Sequence, residues 1–165
     1  MNKQVSMGEL RQRIIEFLKE NRQGSLATCV NNVPRSSPVQ YFLGDDLDIY
    51  ILSAGGKKFD AIRDNPNVCL LVNTPYLSFR KIKGVQVFGK AVTSMHDPSI
   101  KNEAKRYIPV AIAADAEIDN LHAIKIVPEE IVYLDALIDG DRTKQIFTNS
   151  RVTVQQEHMF AFSSY

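Results

Sequence analysis

Tryptophan is absent from this 165-residue chain, and cysteine (two) and histidine (three) are scarce. Cys29 and Cys69 stand singly in apolar segments, without C-x-x-C spacing. A disulfide framework and a zinc site are therefore not expected, and both thiols read as small apolar core residues. Charge of one sign is lacking too: 20 Lys and Arg against 19 Asp and Glu leave a formal charge of +1. Without a basic field, nothing electrostatic favours nucleic acid as a partner. Apolar runs stay far below the roughly 20 residues that span a bilayer. The N-terminus carries no apolar signal-peptide stretch, so a cytoplasmic protein with no membrane partner is expected. No paired carboxylates, Ser-His-Asp set or metal-ligand cluster stands out. No metal site and no catalytic side chain are assigned.

What is present is ordinary in bulk, with 44% apolar and 24% charged residues. The length predicts one domain with one core. Ser6 and Glu9 fit a capping box ahead of a helix. Its apolar stripe is Met7, Leu10, Ile14, Phe17 and Leu18, with Gly24 as its stop. The period then changes to strands over 25–30 and 37–43, with turns at 31–34 and 44–46. Leu47, Ile49 and Ile51 alternate with Asp48, Tyr50 and Leu52. A short helix is predicted over 57–64, ended by Asn65-Pro66. Strands follow over 68–72 and 84–94. Asp97-Pro98 opens a helix to about 107, and 110–120 reads as a helical turn or a loop. Strands over 122–127 and 130–134 flank Pro128, which marks a bulge or an edge. About six short strands among three helices, joined by tight turns, predict a mainly β, antiparallel barrel with peripheral helices. The single domain is placed at 1–138. Residues 139–165 are an extension, polar and then aromatic (Phe160, Phe162, Tyr165), which either docks on a partner subunit or frays.

The chemically informative stretch is Ile51-Leu52-Ser53-Ala54-Gly55-Gly56-Lys57-Lys58. A strand ends, a glycine loop follows, and a helix begins on two lysines. Helix N-termini offer unpaired N–H groups and partial positive charge, which suit an anion. Cations are disfavoured there, so Lys57 and Lys58 make sense if a phosphate neutralises them. Alone, two lysines after two glycines are more simply a solvated loop, and the nucleotide P-loop pattern is absent.

Context adds a resemblance. The order of five segments resembles the pyridoxamine 5′-phosphate oxidase-like FMN-binding split β-barrels. They are Ala27-Thr28 through Pro34-Arg35-Ser36-Ser37-Pro38-Val39; Ile51-Leu52-Ser53 with Gly56-Lys57-Lys58; Asn65-Pro66-Asn67-Val68 through Val72; Lys83 through Ala91; and Ile126 through Tyr133. The resemblance covers about residues 20–135. It implies FMN contacts from Arg35, Ser36, Ser37, Pro38, Val39, Leu52 and Ser53, with the phosphate at Lys57 and Lys58. Gly84 stands where the oxidases carry a flavin-contacting glutamine, and Gln86 is the nearest substitute. The family's flavin lies between two subunits, so a homodimer with FMN at its interface is implied. The missing tryptophan and the unmatched segment 142–165 depart from the oxidases' substrate-binding end, so the substrate is unassigned. An FMN-dependent oxidoreductase, with a reduced nicotinamide or a small molecule as partner, is the leading expectation. A flavin carrier, a ligand-free interaction module and a haem-binding barrel with His158 as ligand are the alternatives.

Overall fold

A computed structural model describes residues 4–157; His158, Phe160, Phe162 and Tyr165 lie outside the described residues. Helix α1 (Met7–Glu20) starts on Ser6, whose side chain accepts the Glu9 N–H at 3.2 Å. Only half of the capping box forms, because the Glu9 carboxylate turns to Arg13 one helical turn on. Leu10, Ile14, Phe17 and Leu18 are buried, while Met7 at the end of the stripe is exposed. The helix stops before Gly24. Asn21 caps it, its side-chain amide donating to the Phe17 carbonyl at 2.8 Å. Gly24 lies inside strand β1 (Gln23–Val30), where a Cβ would stand 2.7 Å from the Leu71 carbonyl oxygen.

Strand β2 (Val33–Leu43) begins four residues earlier than the sequence suggests. The turn is only Asn31-Asn32, with φ of 50° and 62°. Such a two-residue left-handed turn matches strand twist. Val30 pairs with Val33 and Cys29 with Pro34. In this register the missing N–H of Pro34 points away from β1, where no ladder bond is lost.

Strands β3 (Ile49–Ser53), β4 (Asn67–Asn73), β5 (Lys83–Thr93) and β6 (His122–Asp135) complete the barrel. The order is β3-β2-β1-β4-β5-β6, all antiparallel, and β6 pairs back onto β3 to close it. The two strands expected around Pro128 are one. Gly89 faces Pro128 and Phe88 faces Glu130, leaving Glu129 as an extra residue in a β-bulge. Beyond it, the second half of β6 leaves β3 and pairs with β7 (Lys144–Thr148), which carries β8 (Val152–Gln155). Part of the segment set apart by composition is thus woven into the sheet. Phe147 and Val152 belong to the same core as Leu26, Ile51, Leu70 and Ile124, into which α1 inserts Ile14, Phe17 and Leu18.

Helix α2 (Lys57–Asp64) has the predicted bounds. Helix α3 (Ser99–Lys105) ends two residues short of prediction, and residues 110–120 form α4 (Val110–Ala113) and a 3-10 turn over 116–120. α3 covers the outer face of β3 and β6, which explains why Tyr50 is buried as fully as its inward neighbours Ile49 and Ile51. Lys125 bridges Asp48 (3.2 Å) and Glu103 (2.9 Å), and the Tyr50 hydroxyl donates to Glu103 at 2.9 Å. These bonds draw the Glu103 carboxyl below its ordinary value and hold the Lys125 ammonium well above its own. Among the described residues no helix is long and apolar enough to cross a membrane.

Candidate functional site

β2 pairs with β1 over residues 33–40 and with β3 only through Tyr41, Phe42 and Leu43. Its second edge over 33–40 is therefore without a strand partner, and its backbone groups there are available to a ligand. Extending the β2–β3 register by two residues puts Val39 level with Ser53, where β3 ends and the glycine loop begins.

The expected β2 residues divide between two faces. Ser36 and Pro38 point outward beside Ala27 and Ser25 of β1. Arg35, Ser37 and Val39 share the face that buries Tyr41 farther along, and Val39 packs against the core. Leu52 is half-buried and packs against Phe42 and Tyr50 beneath the outer helices. The Ser53 hydroxyl donates to the Gly55 carbonyl at 3.3 Å and lies 3.4 Å from the Gly55 nitrogen.

Gly55 and Gly56 have φ of 142° and 105°, conformations closed to ordinary residues. Nothing lies within 4 Å of where a Gly55 Cβ would be, so the space above the loop is open. Gly56 precedes α2 and offers no side-chain cap. The first N–H groups of the helix therefore lack the partner that Ser, Thr or Asp usually supplies. Lys57 is exposed. Lys58 is half-buried and its Nζ donates to the Gly55 carbonyl at 2.6 Å. Burial pushes the Lys58 ammonium below its ordinary pKa. The ammonium also stands 5.5 Å from the centre of the Phe59 ring and has no salt bridge among the described residues; a half-desolvated cation without a carboxylate partner is poised for an anion.

Two grooves run across the outer sheet face and share Leu71 and Asn73. The first, about 450 Å³, lies between β2 and β4 and is lined by Gln23, Ser25, Pro38, Val39 and Gln40. The second, about 360 Å³, lies over β5 and β6 and takes Gln86, Val132 and Leu134 as its floor. Gln86 pairs across to Leu71 and Val132. It stands three strand spacings from β2, about 14 Å at about 4.8 Å each. One chain thus gathers Arg35–Val39, Leu52, Ser53, Lys57 and Lys58 around one end of the barrel and sets Gln86 apart from them.

Sequence reasoning missed the second groove's rim, Tyr76, Arg142 and Lys144. Tyr76 comes from the β4–β5 loop and the two cations from the C-terminal extension. No spacing links them, because only the sheet brings them together. Cys29 and Cys69 are free and half-buried, and burial raises the Cys69 thiol. Among the described residues no three His, Cys, Asp or Glu side chains gather as a metal site.

No curated protein matches the sequence. Among solved structures, general stress protein 26 from Bacillus anthracis is 26% identical with a TM-score of 0.58, over 76% of this chain and 93% of its own. A pyridoxamine 5′-phosphate oxidase-related, FMN-binding protein from Nostoc punctiforme is 14% identical with a TM-score of 0.63, over 94% of this chain and 100% of its own. A heme-binding protein from Mycobacterium smegmatis is 15% identical with a TM-score of 0.59, over 93% of this chain and 59% of its own. At these last two identities the likeness is one of fold. The family model described as pyridoxamine 5′-phosphate oxidase matches residues 10–135. With that match spanning most of the barrel, the chain belongs to the pyridoxamine 5′-phosphate oxidase family.

Proposed function

We propose that this protein binds FMN at the open end of the barrel, as a homodimer, and works as a flavin-dependent oxidoreductase on a small molecule. The observation that carries the reading is the loop before α2. It combines an uncapped helix start, two glycines at positive φ with open space above Gly55, and a half-buried lysine whose ammonium has no carboxylate partner among the described residues. Those donors suit a phosphate monoester. The unpaired β2 edge next to them offers backbone C=O groups at the spacing of a strand and N–H groups from Ser36 and Gln40, Pro34 and Pro38 having none, which suits the hydrogen-bonding rim of a flavin ring. FMN supplies one- and two-electron chemistry when bound.

In this reading the residues divide the work. Lys58, Lys57 and the first N–H groups of α2 hold the phosphate, and Ser53 fixes the loop through Gly55. Arg35 to Val39 orient the ring from the β2 edge. Gln86 lies too far across the sheet to join them from the same chain, and a second subunit would bring it there. That distance supports the dimer. The FMN-binding relative from Nostoc adds to the cofactor reading. A haem-binding barrel and a flavin carrier without turnover remain distinct outcomes of the same test.

The test is a visible spectrum of the purified protein and a fluorescence titration with FMN, with light scattering for mass. Uptake of one FMN per chain by a dimer is expected, followed by bleaching with a reduced nicotinamide and turnover on an added acceptor. Absence of FMN quenching overturns the reading. A Soret band supports haem instead, and FMN uptake without turnover leaves a carrier.

A further inference from the structure

Beside the second groove, of which Arg142 is a lining residue, two arginines close on one carboxylate. Glu157 lies 3.2 Å from the Arg80 guanidinium and 3.1 Å from that of Arg142. Arg80 comes from the loop between β4 and β5 and also donates to the Gly140 carbonyl at 3.3 Å. Arg142 stands at the start of the last hairpin and lines the groove itself. Lys144, the third cation here, lines the same groove and has no salt bridge to a carboxylate among the described residues. The floor beneath them is apolar, formed by Leu71, Ile82, Val132 and Leu134, with Gln86, the residue that the proposed dimer turns toward the partner subunit's flavin, as a polar group within it.

Two guanidiniums from separate segments, converging on one carboxylate above an apolar floor, have the chemistry of an organic-anion site. The chain fills it with its own carboxylate. We propose that Arg80 and Arg142, with Lys144, form a subsite for the carboxylate or phosphate of a small organic anion whose apolar body rests on Leu71 and Val132. Glu157 is its internal stand-in. The site is separate from the loop before α2. It supplies a substrate class for the proposed flavoprotein and rests on that reading only for what happens after binding.

The geometry sets the size of the competition. Glu157 is partly exposed, and exposed ion pairs are weak. An internal ligand held that loosely lowers the affinity of an outside anion by a factor of about three to ten. Removing the Glu157 charge recovers that factor, and removing Arg142 removes the site.

The experiment measures binding of two probes, methyl phosphate and succinate, by calorimetry to the wild type, Glu157→Gln and Arg142→Gln. FMN is titrated into each protein separately. Glu157→Gln is expected to bind at least one probe about three- to tenfold more tightly than the wild type, and Arg142→Gln to bind that probe at least tenfold more weakly. Arg80→Gln repeats the loss at the other arm. The preferred probe names the anion, phosphate or carboxylate. Equal affinity in wild type and Glu157→Gln overturns the proposal, as does binding that survives Arg142→Gln. Unchanged melting temperatures show that the variants fold. FMN affinity is expected to be the same in all of these proteins, so failure of the cofactor reading and failure of this one register in different titrations.

Discussion

Replacing Lys58 with alanine tests the phosphate site most directly. In the structure the Lys58 ammonium donates to the Gly55 carbonyl at 2.6 Å and is half-buried. Phosphate binding exchanges that neutral acceptor for a charged one. A charge-assisted hydrogen bond contributes about 1.5–3 kcal/mol, and the carbonyl bond given up about 0.5–1.5 kcal/mol. The difference, about 1–2 kcal/mol, corresponds to about a 5- to 30-fold weaker FMN affinity in Lys58→Ala. Lys57 is exposed, so Lys57→Ala should cost less and lose its effect first as salt is raised. Fold stability should change little, since alanine suits a helix start as well as lysine. Fluorescence titration at two salt concentrations reads the affinity, and thermal melting reads the fold. Wild-type FMN affinity in the Lys57→Ala, Lys58→Ala double variant would refute the reasoning and move the phosphate elsewhere.

Three further outcomes follow from the barrel. Gly89→Ala should destabilise by about 1–3 kcal/mol in chemical denaturation, because its Cβ would meet the Val127 carbonyl oxygen at 2.2 Å and backbone cannot yield like a side chain. Asn32→Val should cost about 1–2 kcal/mol, since a β-branched residue resists the φ of 62° there, while Asn32→Gly should be neutral or stabilising. Glu103→Gln should lower stability by about 1 kcal/mol at neutral pH, an exposed-pair magnitude. Its carboxyl is depressed in the fold, so that contribution is complete above the ordinary value of 4.5 and is lost as pH falls through the lower folded value. Melting curves of wild type and variant should therefore converge in acid. Lys125 is raised, so its contribution persists below 10.5 and is lost only in strong alkali.

The legible parts of the sequence were those with local punctuation. α2 has its predicted bounds because Gly55-Gly56 and Asn65-Pro66 bracket it within ten residues. The Gly55–Lys58 loop was legible for the same reason. β2 was misjudged at its start because Pro34 reads as a breaker, although its absent N–H faces an edge with no partner there. β7 and β8 were missed because they are short and bury little beyond Phe147 and Val152. They exist because β6 offers them an edge, and that is a distant pairing. Gly24 illustrates the converse: a residue that signals a helix end in one dimension serves a close strand crossing in three. The order of the β2 and loop segments was legible, but the divergence of β2 from β3, which opens the edge between them, was not. The meeting of Arg80 and Arg142 at Glu157 was invisible, because neither arginine sits in a pattern and they meet only through tertiary structure.

The pairing of β6 with β3 has a consequence for how the chain is made. Ile49 meets Ile126, so the last seam of the barrel waits for a partner that leaves the ribosome long after β3 does. The β1–β2 hairpin, joined by two residues, can form at once. Until β6 arrives, β3 presents a bare, apolar edge, the kind of template on which nascent chains mispair. Lesions that slow β6, at the Glu129 bulge above all, should therefore appear as poor yield and inclusion bodies before they appear as a lowered melting temperature.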